Sequence, residues 1–123
     1  MNANGPAAIL RVVASAAAKQ TALAEFVGRL RQDLASHVVD IRLFGSEARG
    51  DAGPESVIDV LVVVQPEDER AALEDRVIDI AFDVNVEHCV YLSPRVLTAG
   101  ILNHTIWRET PFIQNVVRES VPL

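Results

Sequence analysis

Residues 43–64 read LFGSEARGDAGPESVIDVLVVV. An apolar strand end runs into a Gly-Ser turn, a polar loop follows, and a second apolar run carries a single acid, Asp59. Gly45, Gly50 and Gly53 permit dihedrals that other residues avoid, so a loop this rich in Gly and Pro is shaped for more than connection. The segment predicts two strands with an anion-holding loop between them.

Working outward, Val38 to Phe44 is led by β-branched residues and reads as the strand that delivers Gly45 and Ser46. Val57 to Val64 is a nearly continuous apolar run, the pattern of a central strand buried on both faces. Before them, Leu23, Phe26, Val27, Leu30 and Leu34 recur at spacings of three and four and predict an amphipathic helix to about Ala35. Residues 1–5 read as a frayed start. Pro6 fits the first turn of an Ala-rich helix, and a bend near Gln20 and Thr21 or one continuous helix both fit.

After the second strand, Pro66 opens a helix with Glu67, Asp68 and Glu69 at its positive dipole end. Leu73, Val77, Ile80, Ala81 and Val84 share one face of it, while Ile78 and Phe82 widen the stripe toward core or a partner surface. Cys89 to Leu92 reads as a short third strand closed by Ser93 and Pro94. Thr98–Arg108 and Pro111–Glu119 read as two short helices, and Ser120–Leu123 as a last extended segment. The order predicts an α/β (α+β) chain, a small mixed β-sheet flanked by helices, in a single domain over residues 1–123.

The chain has 123 residues, half of them apolar, enough for a real core. Its net charge of −6 argues against a general DNA or tRNA binder, because phosphate backbones are held mainly by clustered Lys and Arg. Cys89 is the only cysteine, which predicts a reducing, cytoplasmic setting. No apolar run approaches the roughly 18–20 residues that span a bilayer, and Ala7–Ala18 lacks a basic leader, so a helix is preferred there to a signal peptide. His37, His88, His104 and Cys89 match no compact zinc spacing, and Ser93 has no motif marking it as a nucleophile. Trp107 reads as packing or a contact surface.

Gly45-Ser46, a spacer of ten residues and then Val57-Ile58-Asp59, with Phe44, Ala48, Arg49 and Gly50 around the turn, resembles the minimal nucleotidyltransferase domains of the DNA polymerase beta-like superfamily, whose motif there is Asp-x-Asp. The likeness takes in LFGSEARGD and the tail SPRVLTAG…ETPFIQNVVRES, so it runs from about Leu23 over most of the chain. It implies the polymerase beta-like nucleotidyltransferase fold and transfer of a nucleotidyl group from ATP. In that chemistry two Mg²⁺ ions clamp the attacking and leaving oxygens and are held by an Asp-x-Asp pair on one strand face plus a third acid from a neighbouring strand. The resemblance gives Gly45, Ser46 and Arg49 to the nucleotide phosphates, and Asp59 to the metal as the second acid of the pair.

The first acid is missing, since position 57 is Val57, which can neither ligate Mg²⁺ nor neutralise it. For the third acid, Cys89–Ser93 offers no carboxylate; Glu87 is the nearest candidate ligand, ahead of Asp79, Asp83 and the loop acid Asp51. The bland alternatives are a turn cap for Ser46, a surface cation for Arg49, and an ion pair of Asp59 with Arg42. Small members of the family are implied to act as antitoxins beside a HEPN-type partner protein, some by transferring AMP to it. The residue set favours a pseudoenzyme that binds a partner or a second copy of itself, with nucleotide as a ligand. An active Mg²⁺- and ATP-dependent transferase is the alternative.

Overall fold

The computed structural model describes residues 15–50, 52–53, 55–104 and 107–123; the frayed start, the helix from Pro6, the leader region before Ser15 and the loop acid Asp51 lie outside the described residues. Helix α1 spans Ala16–Leu34, capped by Ser15 Oγ, which accepts the Ala18 N–H at 3.1 Å. Gln20 and Thr21 lie inside it without a break. A short 3₁₀ turn, Ala35–His37, leads into β1, Val38–Phe44. One helical turn, α2 (Gly45–Arg49), replaces the irregular start of the expected loop, and β2 follows at Ile58–Val64.

Glu67–Glu69 form a 3₁₀ turn, and regular helix α3 begins at Arg70 and runs to His88. Strand β3 is Leu92–Thr98, helix α4 Ala99–Asn103, helix α5 Pro111–Glu119 and strand β4 Val121–Pro122, with a 3₁₀ turn at Trp107–Glu109. The sheet order is β3-β2-β1-β4; β2 pairs parallel with β3, and β1 pairs antiparallel with β2 and with β4. A parallel pair needs a crossover, and α3 is that crossover.

The third strand begins and ends later than Cys89–Leu92. Cys89 takes the left-handed conformation (φ 53°) that ends α3, and its N–H bonds back to the Asn85 carbonyl. The Asn85 side chain then accepts from the Leu92 N–H at 2.7 Å and donates to the Leu92 carbonyl at 3.2 Å, so strand geometry starts only there. Pro94 does not end the strand because β3 is at the sheet edge, where a missing N–H is tolerated. The helix expected over Thr98–Arg108 is shorter: Thr98 caps α4, and Asn103 ends it.

Burial follows the period of two. Ile58, Val60, Val62 and Val64 point into the main core with Phe26, Leu30 and Leu34 of α1 and Leu73, Val77, Ile80, Ala81 and Val84 of α3. Leu61 and Val63 point to the opposite face, where Val116 and Phe112 of α5 and Phe44 cover them. Every residue of β2 is buried except Asp59, which is half-buried. The central-strand expectation holds, and the one acid stands on the α5 side of the sheet. No described helix is long and apolar enough to cross a membrane.

Candidate functional site

The β1–β2 pairing sets Phe44 opposite Asp59, so the chain leaving β1 at Gly45 passes directly over the Asp59 side chain. Gly45 has φ +72°, and a Cβ there would collide with Asp59 Oδ2 while lying 3.3 Å from Cγ. Both the backbone sign and the close approach therefore require glycine. Gly50, φ +80°, ends the helical turn, donating its N–H to the Ser46 carbonyl. Gly45, Ser46 and Arg49 thus share one turn above one carboxylate.

Burial pushes the Asp59 carboxyl above the ordinary aspartate value; Arg95 and then Arg49 pull it back, and Glu47 adds to the rise. The two cations come from opposite sides. Arg49 lies 3.7 Å from Glu119 of α5. Arg95 projects from β3 with its guanidinium carbon 5.4 Å from the centroid of Phe112, a cation–π contact, and Phe112 meets Phe44 edge-on at 6.0 Å. On the Arg49 side a cavity of about 170 Å³ is lined by Phe44, Gly45, Arg49, Phe112, Asn115, Val116 and Glu119.

The parallel register decides what a third metal ligand would have to be. Asp59 aligns with Ser93 and Leu61 with Arg95, and residues in register share a face. The neighbouring strand thus presents a hydroxyl and a guanidinium beside Asp59. Val57 immediately precedes β2 and is half-buried. Among the described residues, the positions flanking Asp59 on its face hold Val57 and Ser93 and the charges of Arg95 and Arg49 bear on it, with Glu47 the one further carboxylate that does; without a second strand carboxylate beside Asp59 this set does not fit two Mg²⁺ ions.

Glu87 is drawn to α1. Its Oε2 pairs with Arg29 Nη2 at 2.8 Å, and the same guanidinium nitrogen pairs with Glu25 Oε2 at 2.8 Å. His88 Nε2 lies 3.2 Å from Glu25 Oε2, and this hydrogen bond, ahead of the Arg29 charge, holds the Glu25 carboxyl below its ordinary value. Glu25, Glu87 and His88 bring ligand atoms within 4.8 Å of one another, the one such group among the described residues, and Arg29 already supplies its counter-charge. The charged groups that bear on Asp59 do not include Glu87. Arg42, the alternative partner of Asp59, instead pairs with Asp40 at 3.2 Å and donates Nε–H to Ser120 Oγ at 2.6 Å.

On the other side of the Gly-Ser turn lies a larger cleft of about 830 Å³ between α1 and the loop, lined by Lys19, Leu23, Leu43, Glu47, Gly53 and Ile58 among others. Lys19, which the sequence pattern does not single out, is nearly buried there. Its Nζ donates to Glu47 Oε2 at 2.8 Å and to the Gly53 carbonyl at 2.6 Å, while Ser56 Oγ accepts the Gly53 N–H at 2.8 Å. It therefore ties the loop to α1 at both ends of the turn. One signal for it does exist: Lys19 is the single lysine, the other ten of the eleven basic residues being arginines. Arg95 is hidden for a different reason, since a strand expected to close at Pro94 cannot present it.

Comparison with known proteins bears on the fold and the family. A Methanocaldococcus jannaschii protein assigned by inference as a protein adenylyltransferase is 32% identical over 103 residues, covering 83% of this chain and 94% of its own. A solved structure assigned by inference as a minimal nucleotidyltransferase overlays with a TM-score of 0.55 at 24% identity, covering 85% of this chain and 94% of that one, and shares the fold. A crystal structure of a toxin-antitoxin with AMP-PNP is similar at a TM-score of 0.48 and 19% identity, over 79% of this chain and 68% of that one. The model of the nucleotidyltransferase domain matches residues 23–120, from α1 through the turn over Asp59 to the end of α5, and the chain belongs to that family.

Proposed function

We propose that this chain is a degenerate nucleotidyltransferase that holds a nucleotide without an efficient two-metal centre and acts by binding a partner protein. The observation that carries the reading is the surrounding of Asp59: Val57 and Ser93 where acids are wanted, and Arg95 and Arg49 as the cations whose charge bears on it. Two guanidinium charges bearing on a single strand carboxylate favour phosphate over Mg²⁺. Gly45, Ser46 and Arg49 are the proposed phosphate contacts, with Arg95 the added cation. Loss of metal-centred charge stabilisation removes what is usually the largest catalytic contribution; a deficit of even ~4 kcal/mol is about a thousandfold in rate. The partner class that the family resemblance implies is a HEPN-type protein in a cytoplasmic antitoxin setting.

The alternative reading, an active Mg²⁺- and ATP-dependent transferase that modifies a protein, is favoured by the relative assigned as a protein adenylyltransferase. Titration of ATP by calorimetry, with and without Mg²⁺, separates the two. Binding that does not depend on Mg²⁺, with no AMP transferred to protein, supports the degenerate reading. Mg²⁺-enhanced binding supports the active one, and no binding at millimolar ATP removes the nucleotide from both.

A further inference from the structure

Helix α3 buries one face and leaves a second apolar stripe uncovered. Ile78, Phe82 and Val86 are spaced by four and are 48%, 65% and 63% exposed; with Tyr91 and Pro94 they line an open groove of about 460 Å³ between α3 and the β3 edge. Isolated exposed apolar residues need no explanation, but a contiguous row bordering a groove marks a contact surface.

Charge says what kind of surface would cover it. Asp75, Asp79 and Asp83 are exposed, each three residues before one member of the apolar row, so an acidic stripe runs alongside it on the helix surface. None of the three forms an ion pair with a described residue. A second copy packed antiparallel about Phe82 would set acidic stripe against acidic stripe, a like-charge arrangement that costs stability. Strand addition at β3 is blunted by Pro94, which offers no N–H in mid-strand.

We infer that the α3–β3 groove docks a partner protein's amphipathic helix, seating its apolar side chains on Ile78, Phe82, Val86 and Tyr91 and its Lys or Arg side chains on Asp75, Asp79 and Asp83. This rests on the partner-binding half of the proposed function and uses none of the nucleotide-site residues. Phe82 is the anchor, because it is the large central side chain of the row.

The test uses the full chain and a labelled synthetic helix of Leu, Ala and Lys, about 18 residues or five turns long, with a Glu-for-Lys twin as control. Anisotropy should show binding of the basic helix, weakened about tenfold or more by Phe82→Asp. The Asp75→Asn/Asp79→Asn/Asp83→Asn variant should bind more weakly and lose most of the salt dependence, and the acidic twin should not bind. Equal binding to wild type and Phe82→Asp, or equal binding of the two helices, overturns the inference. So does a concentration-dependent dimer in sedimentation that Phe82→Asp dissolves, which would make a second copy the occupant. Phe82→Asp must leave the urea midpoint and any ATP binding unchanged; if the helix binds the groove while ATP does not bind the chain, the groove stands and only the nucleotide reading fails.

Discussion

Replacing Gly45 by alanine perturbs the turn over Asp59 in two separable ways. Holding a residue with a Cβ at φ +72° costs about 1–2 kcal/mol. The new methyl also meets Asp59 Oδ2, and turning that carboxylate off its rotamer adds roughly 0.5–1.5 kcal/mol. The sum is about 1.5–3.5 kcal/mol, a large fraction of the ~5–15 kcal/mol of an ordinary domain. Urea unfolding followed by circular dichroism measures it. In an Asp59→Ala background the second contribution vanishes, because the Cβ that remains at position 59 lies 3.4 Å from the added methyl, an ordinary contact. Gly45→Ala should therefore cost about 1 kcal/mol less there. A loss under ~0.5 kcal/mol in the wild type, or the same loss in both backgrounds, would refute the placement of the turn on Asp59.

Lys19→Ala removes two hydrogen bonds and strands a largely buried Glu47; a loss of about 2–3 kcal/mol in urea unfolding is expected, with faster proteolysis in the 50–56 loop, and no change in either would remove the tie between loop and α1. Asp59 has its pKa raised by burial, so its neutral form suits the fold. The stability it lends is full below the unfolded aspartate pKa and is lost as pH rises through the folded value. Asp59→Asn should accordingly be more stable than wild type at pH 7, with the gain fading as pH falls through the carboxylate range; a gain that persists at pH 3 would contradict the burial argument. Val57→Asp/Ser93→Asp supplies carboxylates at both positions flanking Asp59, and should make ATP binding Mg²⁺-dependent by about tenfold or more, with Val57→Asp alone gaining less because position 93 then still offers only a hydroxyl. Equal gains from the single and double variants would show that the β3 position does not matter.

Much of this architecture is legible in the residues because local pattern and tertiary role coincide. Val38–Phe44 is a strand by its β-branched run and by its pairing, and the face of α3 at Leu73, Val77, Ile80, Ala81 and Val84 is the buried one. The edge position of β3 is a property of sheet order, invisible in SPRVLT, so Pro94 looks like a stop when it is an edge residue. The same error conceals Arg95. Lys19 is hidden in an Ala-rich helix where a lone cation ordinarily faces water, and its burial comes from a loop that returns 28 to 34 residues later. Gly45, Ser46 and Asp59 can be named together from spacing, but the collision that makes glycine obligatory emerges only once β1 and β2 are paired.

On the proposed function, the Asp59 site binds nucleotide phosphate without a two-metal centre. Calorimetric titration of ATP into the chain, in EDTA and again in millimolar Mg²⁺, decides this. The same affinity is expected in both, lost on Arg49→Ala/Arg95→Ala; an affinity that rises about tenfold or more with Mg²⁺, accompanied by transfer of labelled AMP, would overturn the proposal.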